Sequence, residues 1–192
     1  MTPAPVEARA GGPARHLAYG AFGLPLAFAA LPLTVQWPAH AAARWGLPLA
    51  ALGALLLAVR LADALIDPLV GRWADAAFER APRQAWWLAG AAAALMVAGV
   101  AALFLAPAPA ASTTGALALA ALLLALTSWG YSVALVVHQA WAARLGGGAS
   151  AQARWVGARE ACALAGVIVA SLLPALLGWP ATSALLALSA LA

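Results

Sequence analysis

Charged side chains are scarce in this chain, which has no lysine and only 8% charged residues. A soluble globular domain carries about 25% charged residues, so the composition excludes an ordinary water-soluble protein. Hydrophobic residues make up 66% of the 192 residues, and the mean hydropathy is +0.93. The chain is therefore expected to be an integral membrane protein.

Cysteine and β-branched residues are also rare. The single cysteine, Cys162, excludes a disulfide framework within the chain. Leucine and alanine dominate the apolar runs, without the alternating pattern of the strands of a membrane barrel. Because every backbone polar group must be satisfied inside a bilayer, runs of this composition predict helices and an all-α fold.

The ten basic residues are all arginines, and their placement indicates an orientation in the membrane. They are not clustered with stacking aromatic residues, which argues against nucleic-acid binding despite a pI of about 10.6. Connections on one side of the expected membrane carry Arg9, Arg15, Arg72, Arg80, Arg83, Arg144, Arg154 and Arg159, whereas the other side carries only Arg44. This positive-inside pattern predicts a multi-pass protein of the plasma membrane, a bacterial inner membrane, with a cytoplasmic N-terminus.

Apolar runs of about 20 residues, the length that spans a bilayer, divide the chain into segments. Residues 1–16 are rich in Pro, Ala and Gly and are expected to form a disordered cytoplasmic tail, ahead of a transmembrane domain over 17–192. The predicted spans are 17–37, 47–71, 86–106, 115–141 and 155–177, followed by an incomplete sixth at 181–192. The last run is too short to cross, so the sequence is expected to be a fragment of a longer protein or a truncated gene.

The first span contains two prolines, Pro25 and Pro32, which predict a bend because proline removes an intrahelical hydrogen bond. Trp37 and Trp45 are expected to bracket a short external loop at the depth of the lipid headgroups.

The second span carries three charges, Arg60, Asp63 and Asp67, on one helical face. Each costs about 2.5–3.5 kcal/mol near the centre of a membrane helix, so the face must serve a polar purpose. The single arginine balances the charge of one carboxylate. The second carboxylate must take up a proton or recruit a cation. The pattern favours a cation-coupled transporter, with a salt bridge that only fixes helix packing as the alternative.

Three motifs resemble those of the glycoside-pentoside-hexuronide:cation symporter family of the major facilitator superfamily. They are Tyr19-Gly-x-x-Gly23, Arg60-x-x-Asp63-x-x-x-Asp67-Pro68 and Gly71-x-x-x-Asp75, and the resemblance extends over nearly the whole chain after Arg15. It implies the N-terminal six-helix half of a major facilitator fold, with five full spans and a truncated sixth. It also implies a small-molecule solute and a missing C-terminal half as partners.

The resemblance assigns the coupling cation to Asp63 and Asp67, the same residues that the charge balance selects. The ion is expected to be H⁺ rather than Na⁺, because sodium needs several oxygen ligands and the residue beside Asp67 is Ile66. Na⁺ at the two carboxylates stays the alternative, and no other metal and no cofactor is expected.

Solute binding is expected to involve Trp141 and Arg159, which by resemblance occupy positions of the family's sugar site. Tryptophan stacks on the apolar faces of sugars, and arginine grips hydroxyl or carboxylate groups. Arg60, Tyr131 and His138 are further candidates. Two sugar-binding aspartates of the family are absent: Pro25 stands at the first position, and the second falls near Val137 in the fourth helix. Their absence implies a sugar-like or other small organic solute of a different kind.

Two further expectations concern the arrangement of the helices. Gly71, Asp75 and Arg80 are expected to form a gating loop in which Asp75 pairs with Arg80. Two three-helix repeats of inverted topology are expected to line a cavity where Arg60, Asp63, Trp141 and Arg159 converge.

Two other functional classes are compatible with parts of the sequence. Asp67, Gly71, Asp75 and Glu79 resemble half of the carboxylate cluster of membrane CDP-alcohol phosphotransferases, but residues 47–59 contain no acid for the other half. The chain is therefore not expected to be an enzyme. A non-transporting remnant or scaffold half of a transporter remains open, since facilitators bind solutes between two halves.

Overall fold

The computed structural model describes residues 12–109, 112–146 and 148–191, and within them it contains helices and no strand. Five helical stretches among these residues are long and apolar enough to cross a membrane. We label them α1 (Pro13–Trp45), α2 (Leu49–Arg80), α3 (Pro82–Leu105), α4 (Thr113–Arg144) and α5, which begins the stretch Ala149–Leu191. Gly178 breaks that last stretch with a φ of 76°. We therefore keep α5 for residues 149–177 and call 179–191 α6.

The expected bend in α1 takes the form of two interruptions. Phe22 separates the α-helical segments Pro13–Ala21 and Gly23–Leu31, and Pro32–Gln36 forms a π-helical turn before the segment Trp37–Trp45. Proline cannot donate to the hydrogen-bond ladder, and such a site favours a widened turn or a kink.

The N-terminal boundary differs from the expectation of a tail over residues 1–16. Residues 1–11 lie outside the described part of the chain, whereas α1 already begins at Pro13. Proline suits the first helical position because its fixed φ matches the helix and its missing N–H needs no partner there. The ring of His16 lies 4.1 Å from that of Trp155, so packing against α5 also favours the early start.

The predicted external loop between Trp37 and Trp45 is instead helical, and both tryptophans are buried. Their rings meet edge to face at 5.0 Å, and Trp37 also contacts Phe104 at 5.8 Å. Phe104 in turn stacks on Trp179 at 3.6 Å. These aromatic rings pack together at one end of the bundle rather than facing lipid headgroups.

The helix ends also extend beyond the predicted spans. The prediction ended α2 near Gly71, but the helix continues to Arg80 and only Ala81 separates it from α3. Pro68 lies inside α2 without ending it. At the other end of the bundle, the hydroxyl of Ser112 caps α4 by accepting a hydrogen bond of 3.3 Å from the Gly115 N–H.

Contacts between helices define their relative directions. Hydroxyls of Ser128 and Ser132 on α4 bond Asp63 and Asp67 on α2 in the same order along both helices, so α2 and α4 run parallel. Gly130 lies against Ala92, and Gly99 lies against Thr127, so α3 runs antiparallel to α4. Trp179 lies beside Phe104 near the end of α3, and Ser189 lines a cavity with Trp86 near its start, so α6 is also antiparallel to α3.

Glycines bring pairs of helices into close contact. A Cβ at Gly20 of α1 would lie 2.6 Å from the carbonyl oxygen of Ala158 in α5, and one at Gly130 would lie 2.7 Å from that of Ala92. Small residues let membrane helices approach until their backbones touch. The core of the bundle therefore consists of the pairs α1–α5 and α3–α4.

We expect Gly130→Ala to lower the free energy of unfolding by about 1–3 kcal/mol, because the added methyl group forces α3 and α4 apart. Gly53→Ala is the matched control, since no atom lies within 4 Å of a Cβ at that exposed position of α2. Unfolding in SDS-containing mixed micelles measures both. Equal stability of Gly130→Ala and Gly53→Ala would contradict the close contact.

The arginine pattern predicts that Ala81, between α2 and α3, faces the cytoplasm and that Ser112 faces outward. In a Cys162→Ala background, Ser112→Cys should react with a membrane-impermeant thiol reagent in intact cells, and Ala81→Cys should react only after lysis. The reverse labelling pattern would mean that the topology is inverted.

Candidate functional site

Two carboxylates of α2 point toward α4. The Ser128 hydroxyl donates a hydrogen bond of 2.6 Å to Oδ2 of Asp63, and the Ser132 hydroxyl donates one of 2.6 Å to Oδ1 of Asp67. The two pairs are one helical turn apart on parallel helices. We call this set of four residues the carboxylate seam.

Arg60 distinguishes the two aspartates of the seam. Its Nη1 lies 3.4 Å from Oδ2 of Asp63, and its side chain is 42% exposed whereas that of Asp63 is 14% exposed. Asp67 forms no ion pair with another residue of the described part of the chain. As the charge balance predicts, one carboxylate has no cationic partner here, and the structure identifies it as Asp67.

A cavity of about 390 Å³ lies beside the seam between α2 and α4. Its walls include Val59, Ile66 and Trp129, and Asp63 is the charged group among its lining residues. Tyr131 is half-buried nearby, within electrostatic range of Arg60 and both aspartates. The seam therefore borders a largely apolar space with a small number of polar groups.

A second group of side chains surrounds Tyr19 of α1. The Tyr19 ring stacks on His138 at 4.4 Å and meets the rings of Trp141 and Trp155 edge to face at 5.2 and 5.7 Å. His138 is 2% exposed, and its Nε2 donates a hydrogen bond of 3.0 Å to the Tyr19 carbonyl oxygen. We call Tyr19, His138, Trp141 and Trp155 the aromatic cluster.

Arg159 of α5 lies beside the aromatic cluster. Its side chain passes Gly23 of α1, where a Cβ would come within 3.0 Å of the arginine Cγ. Its guanidinium donates hydrogen bonds of 2.6 and 3.1 Å to Oε1 of Glu160. The Tyr19-Gly-x-x-Gly23 motif thus contributes the ring of the cluster and the space for this arginine.

The structure does not bring all the predicted site residues together. Asp63 contacts α4 at Ser128, whereas Trp141 lies roughly 20 Å further along the same helix and about 140° around it. His138 and Arg159 are grouped with Trp141, while Arg60 and Tyr131 lie with the carboxylates. The expected single convergence is therefore replaced by two separate groups.

The predicted pair between Asp75 and Arg80 is wrong. Arg144 of α4 donates hydrogen bonds of 2.9 Å to Oδ1 and 3.1 Å to the carbonyl oxygen of Asp75, and its guanidinium carbon lies 5.1 Å from the centre of the Phe78 ring. The prediction assumed a loop after Gly71, but this segment is helical. On a helix Asp75 and Arg80 point about 140° apart, so they cannot pair easily.

Several residues of these groups were missed by sequence reasoning. The sequence places Ser128 and Ser132 in the fourth span without indicating a partner, and it marks Arg144 only as a positive-inside arginine. Their signal was present in part, because the two serines have the same four-residue spacing as Asp63 and Asp67. The partner helix, however, cannot be read from that spacing.

No group of three or more His, Cys, Asp or Glu side chains among residues 12–109, 112–146 and 148–191 is placed to hold a metal ion. In particular, two acids of the phosphotransferase-like series on α2 have different partners, since Asp67 faces Ser132 and Asp75 faces Arg144. The half-cluster that resembled a phosphotransferase motif is thus divided between two different contacts.

Five membrane-length helices, two of which hold paired carboxylates between them, define a multi-pass membrane protein. The chain belongs to the MFS/sugar transport protein family, whose model matches residues 16–189. It is therefore a transporter of the major facilitator superfamily. Comparison with curated proteins and with solved structures gave no significant match.

We expect a double-mutant cycle of Asp75→Asn and Arg144→Gln to give a coupling energy of about 0.2–1 kcal/mol, as is usual for a partly exposed pair. Unfolding in SDS-containing mixed micelles provides the measurement. Arg80→Gln is the control and should show no coupling to Asp75→Asn. Stronger coupling of Asp75 to Arg80 than to Arg144 would contradict the observed pair.

Proposed function

We propose that the chain is the N-terminal six-helix half of a cation-coupled symporter similar to the glycoside-pentoside-hexuronide family. It moves a sugar-like or other small organic solute together with H⁺ across the bacterial plasma membrane, and its N-terminus is cytoplasmic. The observation that carries this proposal is the carboxylate seam, where two aspartates lie between membrane helices and Arg60 compensates only one of them.

The coupling step is proposed to take place at Asp67. Arg60 lies next to Asp63 and stabilises its charge, whereas Asp67 has a neutral hydroxyl donor, Ser132. An ionised Asp67 leaves a net negative charge inside the membrane, which is costly. Uptake of one proton removes that charge, so the helices can rearrange only when the site is loaded.

The proton is favoured over sodium by the number of oxygen ligands. Each carboxylate has a single serine hydroxyl as its hydrogen-bond partner from α4. Ile66 adds no oxygen, and the positive charge of Arg60 disfavours a second cation beside Asp63. A proton needs only a single carboxylate.

Solute binding is proposed for two levels along α4. Arg60 and Tyr131 provide charge and a hydroxyl group beside the seam, and Trp141, His138 and Arg159 provide rings and a guanidinium near Tyr19. Rings stack on the apolar faces of sugars, and arginine donors bind hydroxyl or carboxylate groups.

The cytoplasmic ends of α2 and α4 are proposed to form the gate. The family resemblance suggests a gating role for Gly71, Asp75 and Arg80. We add Arg144, because it is the partner of Asp75. Separation of this pair would let the cytoplasmic end of α2 move away from α4.

A second six-helix half is proposed to cover the exposed side of α2. Arg60 lies near the middle of a membrane-length helix and its side chain is 42% exposed. A charge at that depth must face protein or a water-filled path rather than lipid. Facilitator binding sites lie between two such halves, so the partner would complete both the path and the solute site.

We expect Asp67→Asn to abolish accumulation of solute against a gradient while solute exchange persists, because asparagine keeps the shape but cannot take up the proton. Asp63→Asn should have the same effect for a different reason, since it leaves Arg60 free to compensate the charge of Asp67 in place of the proton. Glu79→Gln, on the exposed face of the same helix, is the control and should leave accumulation intact. The measurement is uptake of labelled glycosides, pentoses and hexuronates by vesicles with an imposed pH or sodium gradient, after co-expression of the chain with a second half.

Uptake driven by a sodium gradient alone would exclude the proton as the coupling ion. Concentrative uptake that survives both asparagine substitutions would exclude the carboxylate mechanism. A folded, inserted chain that carries none of these solutes with the second half present would support the non-transporting scaffold instead.

A further inference from the structure

A groove of about 580 Å³ runs between α3 and α6. Small side chains form its walls, among them Gly90, Ala94 and Ala98 of α3 and Ala184 and Ala187 of α6. No residue of the carboxylate seam lines it, and several of its alanines are exposed to the side. The groove is therefore open to the surrounding bilayer and separate from the coupling residues.

The length and the apolar lining of the groove suit a hydrocarbon chain. Its lining residues on α3 extend from Gly90 to Leu105, a rise of about 22 Å. A long apolar groove that opens to the side of the bundle suits an extended acyl chain.

One end of the groove continues into a second cavity of about 270 Å³, since Phe22 and Gly90 line both. This cavity also contacts Ala18 of α1 and Trp86 of α3. It lies near the N-terminal ends of α1 and α3, so the groove has a defined mouth.

Two exposed arginines flank this mouth. Arg15 precedes Ala18, and Arg83 precedes Trp86, in each case by three residues on the same helix, so they share the faces that line the cavity. Neither forms an ion pair with another described residue. Their positive charges favour a phosphate group at this mouth.

Two buried polar atoms along this path have no hydrogen-bond partner among the described residues. His138 lines the mouth cavity and donates through Nε2 to Tyr19, so its unpartnered Nδ1 is an acceptor. Ser183 lines the groove, is 7% exposed, and its unpartnered hydroxyl is able to donate. Both atoms are buried, so they lie beside the path rather than in its open part.

We propose that the groove between α3 and α6 binds one acyl chain of an anionic phospholipid, whose phosphate group contacts Arg15 and Arg83. The second acyl chain stays in the bilayer, since the groove is open to the side. The inference does not depend on the proposed symport, because its measurement is lipid binding rather than uptake.

The test uses the purified chain in detergent with dipalmitoyl phosphatidylglycerol or dipalmitoyl phosphatidylcholine, and native mass spectrometry measures the lipid retained. The parent should retain more phosphatidylglycerol than phosphatidylcholine. Ala98→Phe fills the groove and should remove both lipids, and Ala187→Phe tests the opposite wall should the first variant fail to fold. Ala165→Phe, at an exposed position of α5 outside the groove, is the control and should bind like the parent.

The arginines are tested separately. Arg15→Gln and Arg83→Gln should each weaken retention of phosphatidylglycerol by about fivefold, the effect of one arginine at an anionic lipid surface. They should weaken retention of phosphatidylcholine less, because its choline cation offsets the charge of the phosphate group. Arg154→Gln, an exposed arginine of α5, is the control.

Three results would overturn the proposal. One is equal retention of the two lipids by the parent, which means that charge does not select the ligand. Another is unchanged retention in both groove-filling variants. The third is a dimer of the parent that Ala98→Phe dissociates, which would make the groove an interface between two copies of the chain.

Discussion

A carboxylate inside a bilayer needs a hydrogen-bond donor or a counter-charge, and in this protein α4 supplies the donors to α2. Ser128 and Ser132 meet Asp63 and Asp67 one helical turn apart, which requires the two helices to run parallel and fixes their register. Arg144 extends the same register to the end of both helices by binding Asp75. Polar contacts with a single neighbour therefore set the register of α2, while apolar side chains such as Leu52 and Leu56 pack it against the core.

The other helices are held differently. Glycines on α1, α3, α4 and α5 allow backbones to touch, and such packing leaves little room for adjustment. In α2 only Leu52 and Ala74 are fully buried. In the proposed coupling step, protonation at Asp67 would act on the position of this sparsely buried helix relative to the packed core.

The fourth helix connects the separate regions of the molecule. One side carries the serines of the seam, and the other carries His138 and Trp141, which contact Tyr19 and line the cavity at the mouth of the α3–α6 groove. A change in the contact between α2 and α4 thus has a rigid path to the aromatic cluster. This geometry links the proposed coupling residues to the proposed solute residues over roughly 20 Å without direct contact.

Composition and periodicity determined the class of the protein and its charged helix. The apolar runs predicted membrane helices, which the structure and the family confirm, and the excess carboxylate on the second span was visible from charge alone. These properties are local, because they follow from the transfer free energy of side chains and the geometry of one helix. The four-residue spacing within each pair, Asp63 with Asp67 and Ser128 with Ser132, is a local property of the same kind.

Only the tertiary structure decided which residues meet. Asp75 pairs with Arg144 rather than Arg80 because α2 continues past Gly71 and points the two side chains apart. Trp141 is separated from Asp63 because α4 meets α2 at Ser128, well before it reaches the aromatic cluster. Trp37 and Trp45 are buried because the end of α1 packs against Phe104. Each of these contacts joins segments that are distant in the sequence. Its free energy arises only when the helices pack against each other, so the sequence of one helix does not determine it.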